Sequence, residues 1–487
     1  MSTIKRRDFL QLTALSLVAL ALPRAVQAAG GKRPNILLIL SDDHSAPHVG
    51  CYGNKDIITP HLDKFAAQGL RFDRAYVCCP QCVPSRASIM TGRSPVEIQM
   101  TRFSAPLPRD VKTYPEALRA AGYFTGVCGR NYHLDGANFV SEIEEFMAEY
   151  HLKTFPDRLD YVKISGQQEA FGEMQEFLGL AKDKPWFLQL CFSDPHRKLD
   201  RNDYSARYNP AKLTLPKHYP DTPAVRDDFA RYYGEITRMD ELFGKVMDEL
   251  NRRGLAENTL VAFMGDNGCS QFRGKGTLYE FGLHVPLLMR WPGRIKPGSA
   301  TSELVSGEDL APTFLSAAGV AVPPEMTGRS FLPAVVGEQF VGRQYVFGER
   351  GSHASGLPGS SNAFDIGRCV ISRTHKLIYN GLWQIPYKPV DFSGDKFWTE
   401  LVEMHAAGKL APELDKLYFA AQRPIFELYD LVNDPAEMHD LYDQPEIKQV
   451  QRELIVALSE WMILQRDFLP LPAAALKDMP KKKKKHN

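Results

Sequence analysis

The stretch Asn35-Ile36-Leu37-Leu38-Ile39-Leu40-Ser41-Asp42-Asp43 decides the fold. The run Asn35–Leu40 reads as a strand covered on both faces, as in a parallel sheet. Two acidic residues follow it directly. Phe124–Cys128, Trp186–Phe192 and Thr259–Met264 read as further buried strands, and Asp266-Asn267 follows the last of these in the same way. Helical patterns cover Pro60–Ala66, Tyr114–Ala121 and Asp227–Arg253, the last ended by Gly254. Strand–helix alternation over roughly 300 residues predicts an α/β fold, a mostly parallel sheet flanked by helices.

Beyond about residue 345 the rhythm changes. Val370–Tyr379 and Phe426–Asp430 read as half-exposed strands around an insertion, 381–424, ahead of a helix near 446–465. The expected organisation is a segment 1–28, a main domain 29–345, a smaller C-terminal α+β domain 346–470 and a basic tail 471–487 carrying Lys481–Lys485.

The 487 residues are 44% hydrophobic, 10% aromatic and 24% charged, an ordinary globular composition. With 59 Lys+Arg against 58 Asp+Glu the net charge is +1, without the basic surplus of a nucleic-acid binder. Eight cysteines are too sparse for a disulfide scaffold, and Cys51, Cys78, Cys79, Cys128, Cys191, Cys269 and Cys369 read as buried free thiols. Residues 4–28 run from Lys5-Arg6-Arg7 through an apolar stretch, about Leu10 to Leu22, to Val26-Gln27-Ala28. That order, with paired arginines before Asp8-Phe9-Leu10, reads as a bacterial export signal of twin-arginine type. It predicts handling by the export machinery and a periplasmic or secreted protein; no later stretch reads as a transmembrane span.

In an open parallel sheet, ligands bind beyond the carboxyl ends of the strands. Asp42, Asp43, Asp266 and Asn267 stand at two such ends, and their oxygens suit a hard divalent cation, Ca²⁺ or Mg²⁺. Cys82-Val83-Pro84-Ser85-Arg86 leads to Thr91-Gly92-Arg93. Pro84 and Ser85 suit a first helical turn, which sets Cys82 where backbone N–H groups favour negative charge. A redox Cys79–Cys82 pair, or zinc on Cys78, Cys79 and Cys82, would leave the Pro-Ser-Arg and Thr-Gly-Arg elements unexplained.

Cys-x-Pro-Ser-Arg followed by Thr-Gly-Arg resembles the signature of the type I sulfatases, and the likeness extends from about Pro34 to about Glu446. The resemblance implies an alkaline-phosphatase-like fold whose 29–345 unit is catalytic. It also implies oxidation of Cys82 to formylglycine by a formylglycine-generating maturation enzyme. Asp42, Asp43, Asp266 and Asn267 become Ca²⁺ ligands, completed by the modified Cys82, and Arg86 steadies the formylglycine hydrate. Gly129-Arg130-Asn131-Tyr132-His133 matches a family element that carries lysine where this chain has Arg130. Asp194-Pro195-His196-Arg197 resembles its second histidine element, with His196 and Arg197 expected at the substrate. Arg273-Gly274-Lys275 resembles the element whose lysine grips sulfate.

The implied chemistry is attack on sulfur by one hydroxyl of the hydrated aldehyde, then release of sulfate as the carbonyl reforms. His133 would take the hydrate's proton, and His196 with Lys275 would protonate the leaving atom. Within the family, His218–Arg226, Arg238-Met239-Asp240 and the insertion 381–424 resemble the heparan N-sulfatase (sulfamidase) branch, which implies a sulfated glycan substrate bearing N-sulfoglucosamine and a role in heparan sulfate degradation. The alternatives are hydrolysis of glycan or aryl O-sulfate esters, phosphoester hydrolysis on the same fold, and a non-catalytic glycan-binding relative. Without residues 1–28 the net charge becomes −2, and without Lys481–Lys485 as well it becomes −7. Recognition of a polyanion is therefore expected from a local cluster of Arg86, Arg130, Lys275 and Ca²⁺.

Overall fold

Along Asn35–Ser41 (β1) every residue is buried, and successive side chains enter different cores. Ile36, Leu38 and Leu40 pack into one cluster, Leu37 and Ile39 into another. Thr259–Gly265 (named β7 below) divides likewise, with Leu260, Ala262 and Met264 on one side and Val261 and Phe263 on the other. A period of two across a sheet covered on both faces produces this split. The computed structural model describes residues 32–104, 106–130, 132–136, 141–200, 202–353 and 364–472, so the expected export signal and Lys481–Lys485 lie outside the described residues.

The other strands in chain order are Leu70–Phe72 (β2), Ala75–Tyr76 (β3), Phe124–Gly129 (β4), Tyr161–Val162 (β5), Trp186–Cys191 (β6), β7, Leu287–Arg290 (β8), Ser299–Thr301 (β9) and Val305–Ser306 (β10). Then come Val346–Arg350 (β11), Gly367–Ile371 (β12), His375–Asn380 (β13) and Phe426–Asp430 (β14). The main sheet has eight strands in the order β5-β4-β6-β1-β7-β8-β2-β9, and β3 and β10 form a separate two-stranded sheet. It is parallel except at β8, which runs antiparallel to β7 and β2. This is the mostly parallel α/β architecture expected of the sequence. Both acidic pairs leave neighbouring central strands, since β1 and β7 pair in register from Asn35–Thr259 to Ser41–Gly265.

The long helix begins at Pro223, four residues before the expected Asp227. Thr222 accepts from the Val225 N–H at 3.2 Å, and proline in the first turn does not need the N–H it lacks. The segment Val370–Tyr379 is a hairpin, not the single strand expected. Ser372 Oγ accepts the Thr374 and His375 N–H groups at 3.3 and 2.9 Å and turns the chain between β12 and β13. Nor is β12 half-exposed. Val370 packs under the helix Lys448–Leu464, while Cys369 and Ile371 join the core of the main unit. Strands β11 to β14 thus form a four-stranded antiparallel sheet sandwiched between that helix and the main unit.

All eight cysteines are free thiols, with only Cys51 partly exposed. Among the described residues no helix is long and apolar enough to cross a membrane.

Candidate active site

The loops after β1 and β7 are stitched together by backbone and side chain. His44 N–H donates to Asn267 O at 2.8 Å, Asp266 N–H to Ser41 O at 3.0 Å, and Asp43 N–H to Asp266 Oδ1 at 3.1 Å. Asp43 adopts a left-handed φ of 63°, a conformation that aspartate tolerates better than most residues, which turns the chain sharply behind Asp42. Asp42, Asp43, Asp266 and Asn267 are all fully buried.

Cys82 opens the helix Cys82–Thr91, as its Pro-Ser sequence predicts, and every residue of that helix is buried. Its Sγ lies 3.5 Å from Asp42 Oδ1 and 3.9 Å from Asp43 Oδ1. One turn on, Arg86 Nε donates to Asp266 Oδ2 at 2.8 Å and its Nη2 lies 3.3 Å from Asp42 Oδ2. Ser85 Oγ donates to Asp266 O, fastening the helix start to the β7 loop. Burial and the Asp42 charge push the Cys82 thiol well above its usual range.

The remaining expected residues arrive from three more loops. Arg130 Nε lies 2.9 Å from Asp42 Oδ2, and His133 Nδ1 lies 3.9 Å from the same oxygen. His196 Nε2 stands 3.7 Å from Asp43 Oδ2. Lys275 Nζ reaches Asp43 Oδ1 at 3.0 Å, its backbone held by Lys275 N–H to Cys269 O at 2.7 Å and Gly276 N–H to Pro80 O at 2.8 Å.

Arg197 goes elsewhere. Its guanidinium reaches Asp228 at 2.5 Å and Asp395 at 2.7 Å and donates to Ser270 O, so it braces the insertion and does not face the cluster. Two residues with no sequence signal join the site. Asp391 Oδ2 lies 2.7 Å from Lys275 Nζ, and Asp391 Oδ1 lies 3.2 Å from His353 Nε2.

Burial would raise the Asp42 carboxyl, but Arg130, His196, Arg86 and His133 hold it well below the usual range. Burial lifts Asp43 to about 7 against the pull of Lys275, and lifts Asp266 to about 7 with help from Asp42. Burial and Lys275 push His196 down to about 3, and burial pushes His133 well below its ordinary value.

Arg86, Arg130 and Lys275 offset the charge of the three buried carboxylates, yet carboxylate oxygens crowded this closely still favour a further cation between them. Asn267 Oδ1 is buried and accepts no hydrogen bond among the described residues, although its Nδ2 donates to Asp43 Oδ1 at 2.8 Å. One donor atom each from Asp42, Asp43, Cys82 and His196 lie within 4.8 Å of one another. A convergent oxygen set with an unsatisfied amide oxygen fits a hard divalent cation.

Comparison with known proteins bears on this geometry. The sulfatase family profile matches residues 34–320. An ulvan-active sulfatase of Formosa agariphila is 30% identical over 459 residues, covering 91% of this chain and 82% of the relative. The N-sulphoglucosamine sulphohydrolase of Homo sapiens is 30% identical over 474 residues, covering 88% of this chain and 89% of that protein. A protein solved in complex with its substrate D-glucosamine-2-N,6-O-disulfate superposes with a TM-score of 0.66 at 22% identity, over 90% of this chain and 99% of that one, a likeness of fold.

Proposed function

The chain belongs to the sulfatase family and is a sulfuric ester hydrolase; from that premise we propose that it removes sulfate from a sulfated glycan bearing N-sulfoglucosamine, with Cys82 converted to formylglycine and Ca²⁺ bound beside it. The observation that carries this reading is the placement of Cys82. It begins a buried helix 3.5 Å from Asp42, and as a thiol it would stay protonated and unreactive there. Conversion to an aldehyde hydrate would give this position a nucleophile.

Asp42, Asp43, Asp266 and Asn267 would hold Ca²⁺ together with the converted Cys82. When bound, the ion offsets charge on the sulfate oxygens, and the hydrated aldehyde supplies a hydroxyl for attack on sulfur. The other steps fall to side chains. Arg86, pinned between Asp266 and Asp42, keeps its charge facing the converted residue. Lys275 and Arg130 offset the anionic substrate. His133 would accept a proton from the converted residue. His196, neutral as it stands, gains a proton more readily once an anion lies beside it and delivers it to the leaving atom.

The unit 29–345 carries this machinery, and 346–470 supplies the C-terminal sheet and Asp391. Conversion requires a maturation enzyme, and delivery to the periplasm or medium requires the export machinery. The ulvan-active relative, of equal identity, supports a second reading in which the group removed is an O-sulfate on another glycan. A heparin-derived panel bearing only N-sulfate or only O-sulfate decides between them. Calcium-dependent sulfate release from the N-sulfated members is expected, and release confined to the O-sulfated members overturns the N-sulfate reading.

A further inference from the structure

Asp391 lies on the insertion between β13 and β14, and that segment sits directly on the lysine loop. At Gly276, next to Lys275, a Cβ would fall 2.2 Å from Val390 Cγ2, so only glycine permits this seating. The approach puts an acid among groups that would serve an anion, with Asp391 Oδ2 2.7 Å from Lys275 Nζ and 4.0 Å from His196 Nε2. A carboxylate there repels sulfate, so its presence calls for a second chemical group in the substrate.

Side-chain exposure rises along this line of residues. The side chains of Asp43 and Lys275 are 0% and 1% exposed, those of His353 and His196 7% and 16%, and that of Asp391 is 22% exposed. Asp391 is thus the most exposed of these five side chains. Lys275 and His353 occupy two of its roughly four acceptor positions, which leaves acceptor capacity toward an entering ligand. His353 is buried against Phe103, ring centroids 4.8 Å apart, and its Nε2 fixes Asp391 Oδ1 at 3.2 Å.

We propose that Asp391, held in place by the positioning residue His353, is a substrate-binding carboxylate for the amino group of an N-sulfated amino sugar. Hydrolysis of R–NH–SO₃⁻ by one water gives SO₄²⁻ and R–NH₃⁺, so the nitrogen ends as a cation beside the sulfate site. An O-sulfate ester leaves a neutral hydroxyl, which has no such need of a carboxylate. This proposal rests on the sulfatase reading of the pocket and assigns it an amino-sugar substrate.

Calorimetry at pH 7 with inorganic sulfate, glucosamine and N-acetylglucosamine as separate probes tests it. The wild type should bind glucosamine at least tenfold more tightly than N-acetylglucosamine. Asp391→Asn should erase that preference while binding sulfate severalfold more tightly, because a like charge has gone. His353→Phe should reduce the preference by a smaller factor. A preference that survives Asp391→Asn, its absence from the wild type, or a joint weakening of sulfate and glucosamine overturns the proposal; the last would mean that Asp391 merely supports Lys275. If the wild type binds and releases no sulfate, yet its amine preference disappears in Asp391→Asn, the sulfatase reading of the site falls and the amine site stands.

Discussion

Two clusters of buried charge in this molecule solve the same physical problem in opposite ways. At the seam between the sheets, Lys376 lies 2.7 Å from Glu280 and 2.9 Å from Glu437, and Arg273 donates to Glu437 O at 2.6 Å. The formal charges of these four residues cancel. Burial would lower the Lys376 ammonium, but the two glutamates more than offset that and raise it. At the ends of β1 and β7, Asp42, Asp43, Asp266 and Asp391 face Arg86, Arg130 and Lys275 with the histidines neutral, a formal total of −1. The seam is balanced in formal charge by its own side chains. The active-site cluster turns positive, the sign a sulfate requires, only with a divalent cation. The cluster expected from the sequence counted Ca²⁺ with Arg86, Arg130 and Lys275, and this sum shows why the three side chains alone would not make the pocket basic.

The largest expected consequence is catalytic. Asp266→Ala removes a proposed calcium ligand and leaves Arg86 without its nearest partner, so sulfate release should fall about a thousandfold or more, with calcium binding lost by calorimetry. Calcium-dependent activity within tenfold of wild type would contradict the contrast. At the seam the effect should be on stability instead. Lys376→Ala strands two buried glutamates and should cost about 3 kcal/mol, read as a lower midpoint of unfolding. Sulfate release per folded molecule should stay within about threefold, since Lys376 reaches none of the site's side chains.

A smaller effect follows pH. Burial places Asp43 and Asp266 at about 7, above the ordinary aspartate value near 4. The metal-free folded state therefore holds protons that the unfolded chain has lost, and metal-free stability falls as pH rises from about 4 to about 7. Calcium must displace those protons, so its stabilising increment should grow with pH and level off above about 7. Thermal unfolding with and without calcium between pH 5.5 and 8 measures it. An increment independent of pH would show that neither carboxylate binds the ion.

Much of this was legible in the sequence because strand ends carry chemistry. An apolar run followed at once by acids fixes both the sheet and the place where its ligands meet, and Pro84-Ser85 marks the helix that begins at Cys82. Side-chain direction was not legible. Arg197 adjoins His196 in sequence, yet its planar fork finds Asp228 and Asp395 across the long helix and the insertion. Asp391 and His353 belong to no periodic or motif pattern, and only the close seating at Gly276 brings them to Lys275. The hairpin at Ser372 was hidden for a related reason: a single hydroxyl capping two N–H groups turns a sequence that otherwise reads as one continuous strand.

The central claim is that Cys82 supplies the attacking group, and Cys82→Ser produced beside the wild type with the same maturation enzyme tests it most directly. The wild-type peptide should show formylglycine by mass, and sulfate release from N-sulfoglucosamine should fall at least a thousandfold in the variant. Undiminished release from Cys82→Ser would contradict the account.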